Sequence, residues 1–336
     1  MRRTVGMSLM AVATAAGLLL GGVRMLRGES PQPRQALNPA AWGSDHVGKP
    51  VPEYVTGDEC LFCHRADVGP AWTKNRHQRT VREAETDSAP LAALKNELSL
   101  QPFAGEVKLL LGGKRQVRYL KPAKGYGKLE LLSVAWTPGT PTQASKLLSL
   151  DQPHWDPQKF NDACAGCHAT GVDSKNRTFS SLSLDCYVCH GDASLAHSKD
   201  PSLMLLAKQR RDPARMVISV CAQCHARTGH SGSTGLPFSN NFVAGDNLFR
   251  DFQVDWSPAR IAALNPADRH VLENVRAVVL GGKEDVTCLT CHDVHKQSSL
   301  KHHRVAPGEI CLNCHDSTGS KKVRKSYEVH SATCGY

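Results

Sequence analysis

Six times the chain repeats one arrangement: two cysteines three positions apart, followed at once by a histidine. The copies are Cys60, Cys63 and His64; Cys164, Cys167 and His168; Cys186, Cys189 and His190; Cys221, Cys224 and His225; Cys288, Cys291 and His292; and Cys311, Cys314 and His315. The frequencies of Cys and His predict far fewer than one such match by chance, and twelve of the thirteen cysteines are used. Two thiols at this spacing form thioether bonds to the vinyl groups of a c-type haem, and the adjacent imidazole reaches the iron. The pair of Cys164 and Cys167 with that of Cys186 and Cys189 also fits the spacing of a four-thiolate zinc site. Zinc, however, gives no reason for the histidines and leaves the pairs at Cys60 and Cys221 without obvious partners. A disulfide framework explains neither the spacing nor the following His. The expectation is therefore six covalently bound haem c groups, with His64, His168, His190, His225, His292 and His315 as proximal iron ligands.

Ten further histidines remain for the opposite faces of the irons: His46, His77, His154, His197, His230, His270, His295, His302, His303 and His330. They outnumber the positions to be filled. A Ser/His/Asp arrangement, paired carboxylates and a phosphate-cradling glycine loop do not stand out. Gly112-Gly113 and Gly281-Gly282 read as turns, and Cys334, the odd cysteine, as a free thiol, with an intermolecular disulfide or a soft iron ligand as the alternatives.

The stretches "GDECLFCHRADVGPAWTKNRHQRT", "DQPHWDPQKFNDACAGCHATGV", "LDCYVCHGDASLAH", "SVCAQCHARTG" and "VTCLTCHDVHK", in this order, resemble exported bacterial multihaem c-type cytochromes, here in hexahaem form. Relatives of that family include tetrahaem electron carriers of the hydroxylamine-oxidation pathway. The likeness runs from Thr56 to the C-terminus and is strongest at the motifs. It implies His77, His154, His197 and His295 as distal ligands. His270, carried on a helix, and His330, in the tail, complete the candidate set, with His230 as the alternative to either. His302 and His303, beside Lys301 and Arg304, read as solvated.

The elements that must position these groups are less distinct. Residues 1–27 carry Arg2 and Arg3 ahead of an uncharged run from Thr4 to Val23, which reads as a signal peptide or an N-terminal membrane anchor. Residues 28–57, rich in Pro, Gly and polar residues, read as a linker. A first haem segment spans 58–100, with helix expected over 65–85. A small antiparallel β insertion is expected within 101–150, as a meander over Val107 to Trp136. Residues 151–336 carry haems two to six. Within them, Asn265 as N-cap, Pro266 in the first turn, Val271, Val275, Val278 and Val279 on one stripe and Gly281 at the end describe a helix. The expected fold is mainly α and irregular, a multihaem cytochrome c fold organised around stacked haems, with the porphyrins forming most of the interior.

The formal charge of +10 invites a nucleic-acid partner, but twelve propionates and six ferric haem cores bring the oxidised, loaded chain to about +4. No nucleic acid is expected. The expected role is electron transfer through bis-His haems in the periplasm, from a quinol-oxidising donor to a periplasmic or outer-surface acceptor, with membrane attachment if the N-terminal segment is retained. The alternative is an oxidoreductase acting on a small nitrogen or sulfur compound at one five-coordinate haem. The chain lacks the Cys-x-x-Cys-Lys variant that resembling nitrite reductases use.

Overall fold

The computed structural model describes residues 58–296, apart from Lys114, Leu150, Lys175, Asp192, Asn240, Asn241, Asp285 and Val286. The export or anchor segment and the linker lie outside these residues. So does the whole sixth motif, Cys311, Cys314 and His315, together with His46, His302, His303, His330 and Cys334. No described helix is long and apolar enough to cross a membrane.

The described residues begin with helix α1 (Asp58–His64) and a single helical turn, α2 (Gly69–Trp72). The helix expected over 65–85 goes no further. Turns follow, and Val81–Glu83 forms strand β1 instead, antiparallel to β2. The reason is tertiary. The N–H of Val81 donates to the Ser183 hydroxyl at 2.9 Å, and that hydroxyl donates back to the Val81 carbonyl at 2.9 Å, so the outer edge of this short strand is satisfied. A β-branched residue with both partners supplied outweighs a weak helical preference.

Helices α3 (Ser88–Asn96) and α4 (Gln101–Ala104) precede the expected meander of β2 (Leu109–Gly112), β3 (Val117–Pro122) and β4 (Leu129–Thr137). The β2–β3 turn requires glycine. Gly112 has φ +84°, and a Cβ there would lie 2.5 Å from the Gln116 carbonyl oxygen. Strands β5 (Lys146–Ser149) and β6 (Trp155–Asp156) both pair with β4 and complete a six-stranded antiparallel sheet. The sheet thus draws on residues from Val81 to Asp156, on both sides of 101–150.

Alternation along these strands puts side chains on two faces, and both are covered. Leu109, Leu111, Leu120, Leu129 and Leu131 pack on Phe160, Ala165 and Phe179. Leu110, Val117, Tyr119, Leu132 and Val134 pack on Leu94, Leu100 and Ala104 from the preceding helices. Tyr119, fully buried, donates its hydroxyl to the Pro90 carbonyl at 2.8 Å.

Beyond the sheet come α5 (Lys159–Ala163), α6 (Ala165–His168), the hairpin β7 (Ala169–Asp173) and β8 (Thr178–Leu182), α7 (Cys186–His190) and α8 (Ala214–His225). The ribbon of β9 (Gly229–Ser231) and β10 (Phe252–Val254), then α9 (Pro258–Ala262), α10 (Pro266–Val279) and α11 (Cys288–Cys291), complete the described chain. Helix α10 is the one read from Asn265 and Pro266. The Asn265 side chain accepts from the Asp268 N–H, while Leu272, Val275 and Val278 are buried. They pack with Ile218 and Ala222 of α8, and with Leu248, Phe252 and Ile261.

The fold is therefore mixed, with helices and antiparallel sheets, rather than mainly α and irregular. Its described part has apolar clusters of its own side chains, so it does not rely on porphyrins alone for an interior.

Candidate haem-binding site

Each of the five described motifs sits on a helical turn. Motif one occupies α1, motif two the junction of α5 and α6, motif three α7, motif four the end of α8, and motif five α11 with His292 just past it. The sixth, carried by Cys311 and Cys314 with His315, falls beyond the described residues and has no place in this geometry. The reason for the helical turns is steric economy: a helix places residues i and i+3 on one face, so both thiols of a Cys-x-x-Cys pair point the same way. Among the described residues the ten cysteines form no disulfide.

The motifs are also brought against one another. The thiols of Cys60 and Cys186 hydrogen-bond, joining motifs one and three. Beside them the Tyr187 hydroxyl donates to the Glu59 carboxylate. Motifs two and four exchange contacts, Cys167 Sγ to the Gln223 carbonyl at 3.8 Å and Cys224 Sγ to the Gly166 carbonyl at 3.9 Å. Cys221 hydrogen-bonds to Cys288, joining motifs four and five. Gln223 fixes the centre. It is buried, its Nε2 donates to the Val188 carbonyl of motif three at 3.3 Å, and its own carbonyl meets motif two. Helix α8 is thus the hub.

Cys186 faces Cys60, and Cys167 faces Cys224. The two pairs that fit a four-thiolate zinc spacing therefore turn to different neighbours. Among the described residues no group of three or more His, Cys, Asp or Glu side chains converges to hold a single ion. Burial pushes the Cys164 and Cys189 thiols up to about 11, so both are protonated near neutral pH.

The histidines form facing pairs. The ring centroids of His64 and His197 are 6.2 Å apart with planes 18° from parallel. Those of His77 and His225 are 6.2 Å apart at 82°, and those of His190 and His295 are 5.8 Å apart at 23°. A metal–nitrogen bond of about 2 Å, plus roughly 1.2 Å from nitrogen to ring centre, sets two imidazoles on opposite faces of one iron about 6.4 Å apart. The observed separations fit that requirement. Each pair joins one motif histidine to one of the expected distal residues.

The other ring nitrogen is the second test of fit, because a ligating imidazole needs it anchored. His190 Nδ1 lies 2.7 Å from the Leu205 carbonyl, His197 Nδ1 2.6 Å from the Ser194 carbonyl, and His154 Nδ1 2.8 Å from the Gln152 carbonyl. A carbonyl only accepts, so these Nδ1 atoms carry the proton and Nε2 keeps its lone pair. His64 Nδ1 instead meets the Asp67 carboxylate at 3.0 Å. Burial holds His77, His190 and His295 below the ordinary imidazole range, and takes His168 to about 4, with help from the Arg227 charge. These rings stay neutral at physiological pH, as metal binding demands.

Three candidates are placed differently. His154 has a ready Nε2 but faces no other ring among the described residues. His270 lies on α10 next to Asn274, whose amide is 3.4 Å from its Nε2. His168 has a buried Nδ1 with no hydrogen-bond partner among the described residues.

Residues 136–191 match the family of cytochrome c554 and c-prime. That stretch holds motifs two and three and His154. The match supports a multihaem c-type cytochrome. Covalently bound haem c and, in general terms, electron transfer go with it. Among solved structures, the undecaheme cytochrome from the S-layer of Carboxydothermus ferrireducens is similar at 18% identity and a TM-score of 0.45, over 80% of this chain. The chain spans 43% of the length of that structure. No curated protein matches the chain.

For such a cytochrome the structure adds residues that the sequence reading missed. Asn75, buried, donates from Nδ2 to the carbonyls of Val294 at 2.7 Å and Lys296 at 2.5 Å, and its Oδ1 accepts from the His77 N–H at 2.8 Å. It ties the loop of His77 to the segment of His295. Asp67 and Gln223 are the others. Nothing in the local sequence marks Asn75 or Gln223, whereas Asp67 lies three positions after His64 on the same turn, a spacing that could have been read.

Proposed function

We propose that this chain is an extracytoplasmic electron carrier with six haem c groups, the sixth tethered by Cys311 and Cys314, in which His197 lies opposite His64, His77 opposite His225 and His295 opposite His190 on their irons. The facing of these imidazole pairs at 5.8 to 6.2 Å carries the reading. Haem bound there supplies one-electron exchange between iron(III) and iron(II). The chain's own residues do the rest. Cysteine pairs on helical turns tether the group, and Nδ1 bonds hold the tautomer that presents Nε2. Burial keeps the rings unprotonated, and α8 sets neighbouring motifs close, which electron tunnelling needs because it weakens steeply with distance. Two imidazoles on one iron leave no position for a substrate, which favours a carrier over an enzyme. Location outside the cytoplasm rests on the uncharged run after Arg2 and Arg3 and on the covalent attachment; the redox partners are a quinol-oxidising donor and a periplasmic or outer-surface acceptor.

Ferric EPR at low temperature tests the pairing. Near-parallel imidazole planes split the iron d orbitals and give rhombic low-spin signals, whereas perpendicular planes leave them nearly degenerate and give a single highly anisotropic feature. Both classes are expected, the second from the site of His77 and His225. His77→Ala should remove the anisotropic signal and create one high-spin haem that binds carbon monoxide once reduced. Wild-type protein dominated by high-spin signals and binding carbon monoxide at several sites would refute the reading.

A further inference from the structure

The proximal histidines do not share one environment. His64 is 43% exposed, and its Nδ1 hydrogen-bonds a carboxylate, Asp67 Oδ2, at 3.0 Å. His190 Nδ1 donates to a neutral carbonyl, that of Leu205, at 2.7 Å. His168 Nδ1 is buried and has no acceptor among the described residues. These differences follow a spatial order. Motif one touches motif three through Cys60 and Cys186, motif three touches motif four through Val188 and Gln223, and motif four touches motif two through Cys224 and Gly166.

An anionic acceptor on Nδ1 draws the proton toward itself and makes Nε2 a stronger donor, which stabilises iron(III) and lowers the reduction potential. A neutral acceptor does so less. An imidazole with no acceptor is the weakest donor, and apolar burial further disfavours the positively charged ferric core. Hydrogen bonding therefore orders the three sites, and burial sets His190 and His168 apart from the exposed His64.

Resting on the electron-carrier reading, we propose that the Nδ1 partners of His64, His190 and His168 grade these three sites, with motif one the lowest of them in potential, at the surface, and motif two the highest, beneath the sheet. Asp67 is the positioning residue that sets the low end. The transfer is one electron with no proton moved and no bond broken: iron(II) at motif one becomes iron(III) as iron(III) at motif two becomes iron(II).

The test is a spectroelectrochemical titration of the haem-loaded protein beside Asp67→Asn and Asp67→Leu. Asp67 is exposed, so neither variant disturbs a core. One of the one-electron steps should move to higher potential, further with Leu than with Asn. One low-spin EPR species should shift with it, at unchanged haem content by mass. A second variant, His168→Met, places a thioether where that imidazole stands, and should raise one other step, which in the wild type lies above the step that Asp67 controls. Asp67 variants that move no step, or a step that in the wild type lies above the one His168→Met moves, would overturn the grading. Wild-type protein lacking six low-spin haems would fail the carrier reading itself, a result separable from unmoved steps in a fully low-spin protein.

Discussion

Asn75 joins two candidate ligands that lie far apart in sequence, so its removal should be felt at both. Asn75→Ala deletes three hydrogen bonds, to Val294, Lys296 and the N–H of His77, from a side chain only 4% exposed. At about 1 kcal/mol net for each bond, the loss is about 3 kcal/mol, with more if the abandoned groups stay dry. For a domain of this size that lowers the melting temperature by about 6–12 °C. Circular dichroism of the haem-loaded protein measures it. The ligation effect is separate: ferric EPR should show two new high-spin haems, from the sites of His225 and His190, which lose His77 and His295. Asn75→Asp keeps an acceptor for the His77 N–H but sets a carboxylate against two carbonyls, so it should disturb the site of His295 more than that of His77. If Asn75→Ala melts within about 2 °C of the parent, or if neither of those sites changes spin state, the tie between the two segments is not what places the ligands.

Gly166→Ala should weaken motif two, because a Cβ at Gly166 would lie 2.1 Å from the Phe238 ring. Overpacking of this kind costs about 1–3 kcal/mol, and mass spectrometry should find one haem fewer in part of the protein, with recovery when Phe238→Leu makes room. Acid should act through the buried imidazoles. The unfolded chain takes up these protons near the ordinary value of 6.5, but folded His168 does so only near 4, so the unfolded state binds more protons in between. Stability and the low-spin spectrum should therefore decline as pH falls through that window and stay flat above it, as an acid titration followed by absorbance would show.

What the sequence revealed and concealed divides along the range of the interactions involved. The haem motifs are legible because their chemistry uses five consecutive residues. Helix α10 was legible because cap, first-turn proline and apolar stripe are all local. Strand β1 was not, since the hydroxyl that satisfies it belongs to Ser183, 102 residues away. Asn75 was hidden for the same reason, its carbonyl partners lying 219 and 221 residues downstream. The meander was visible in its Gly112-Gly113 break, but β5 and β6, short and with β5 largely exposed, carry no alternation strong enough to announce that they extend it. The resemblance singled out His77, His197 and His295, yet their partners at His225, His64 and His190 emerge only from the fold.

The pairing of His64 with His197 bears on how the molecule is made. A chain that leaves the ribosome N-terminus first presents Cys60, Cys63 and His64 long before His197 exists. If haem binds as proposed, the first motif to be made is completed by a residue from the middle of the chain. Until that residue arrived, a haem held by Cys60 and Cys63 would lack the imidazole that faces His64 in the folded chain. A product cut short between the two histidines would then carry a tether without its facing ligand.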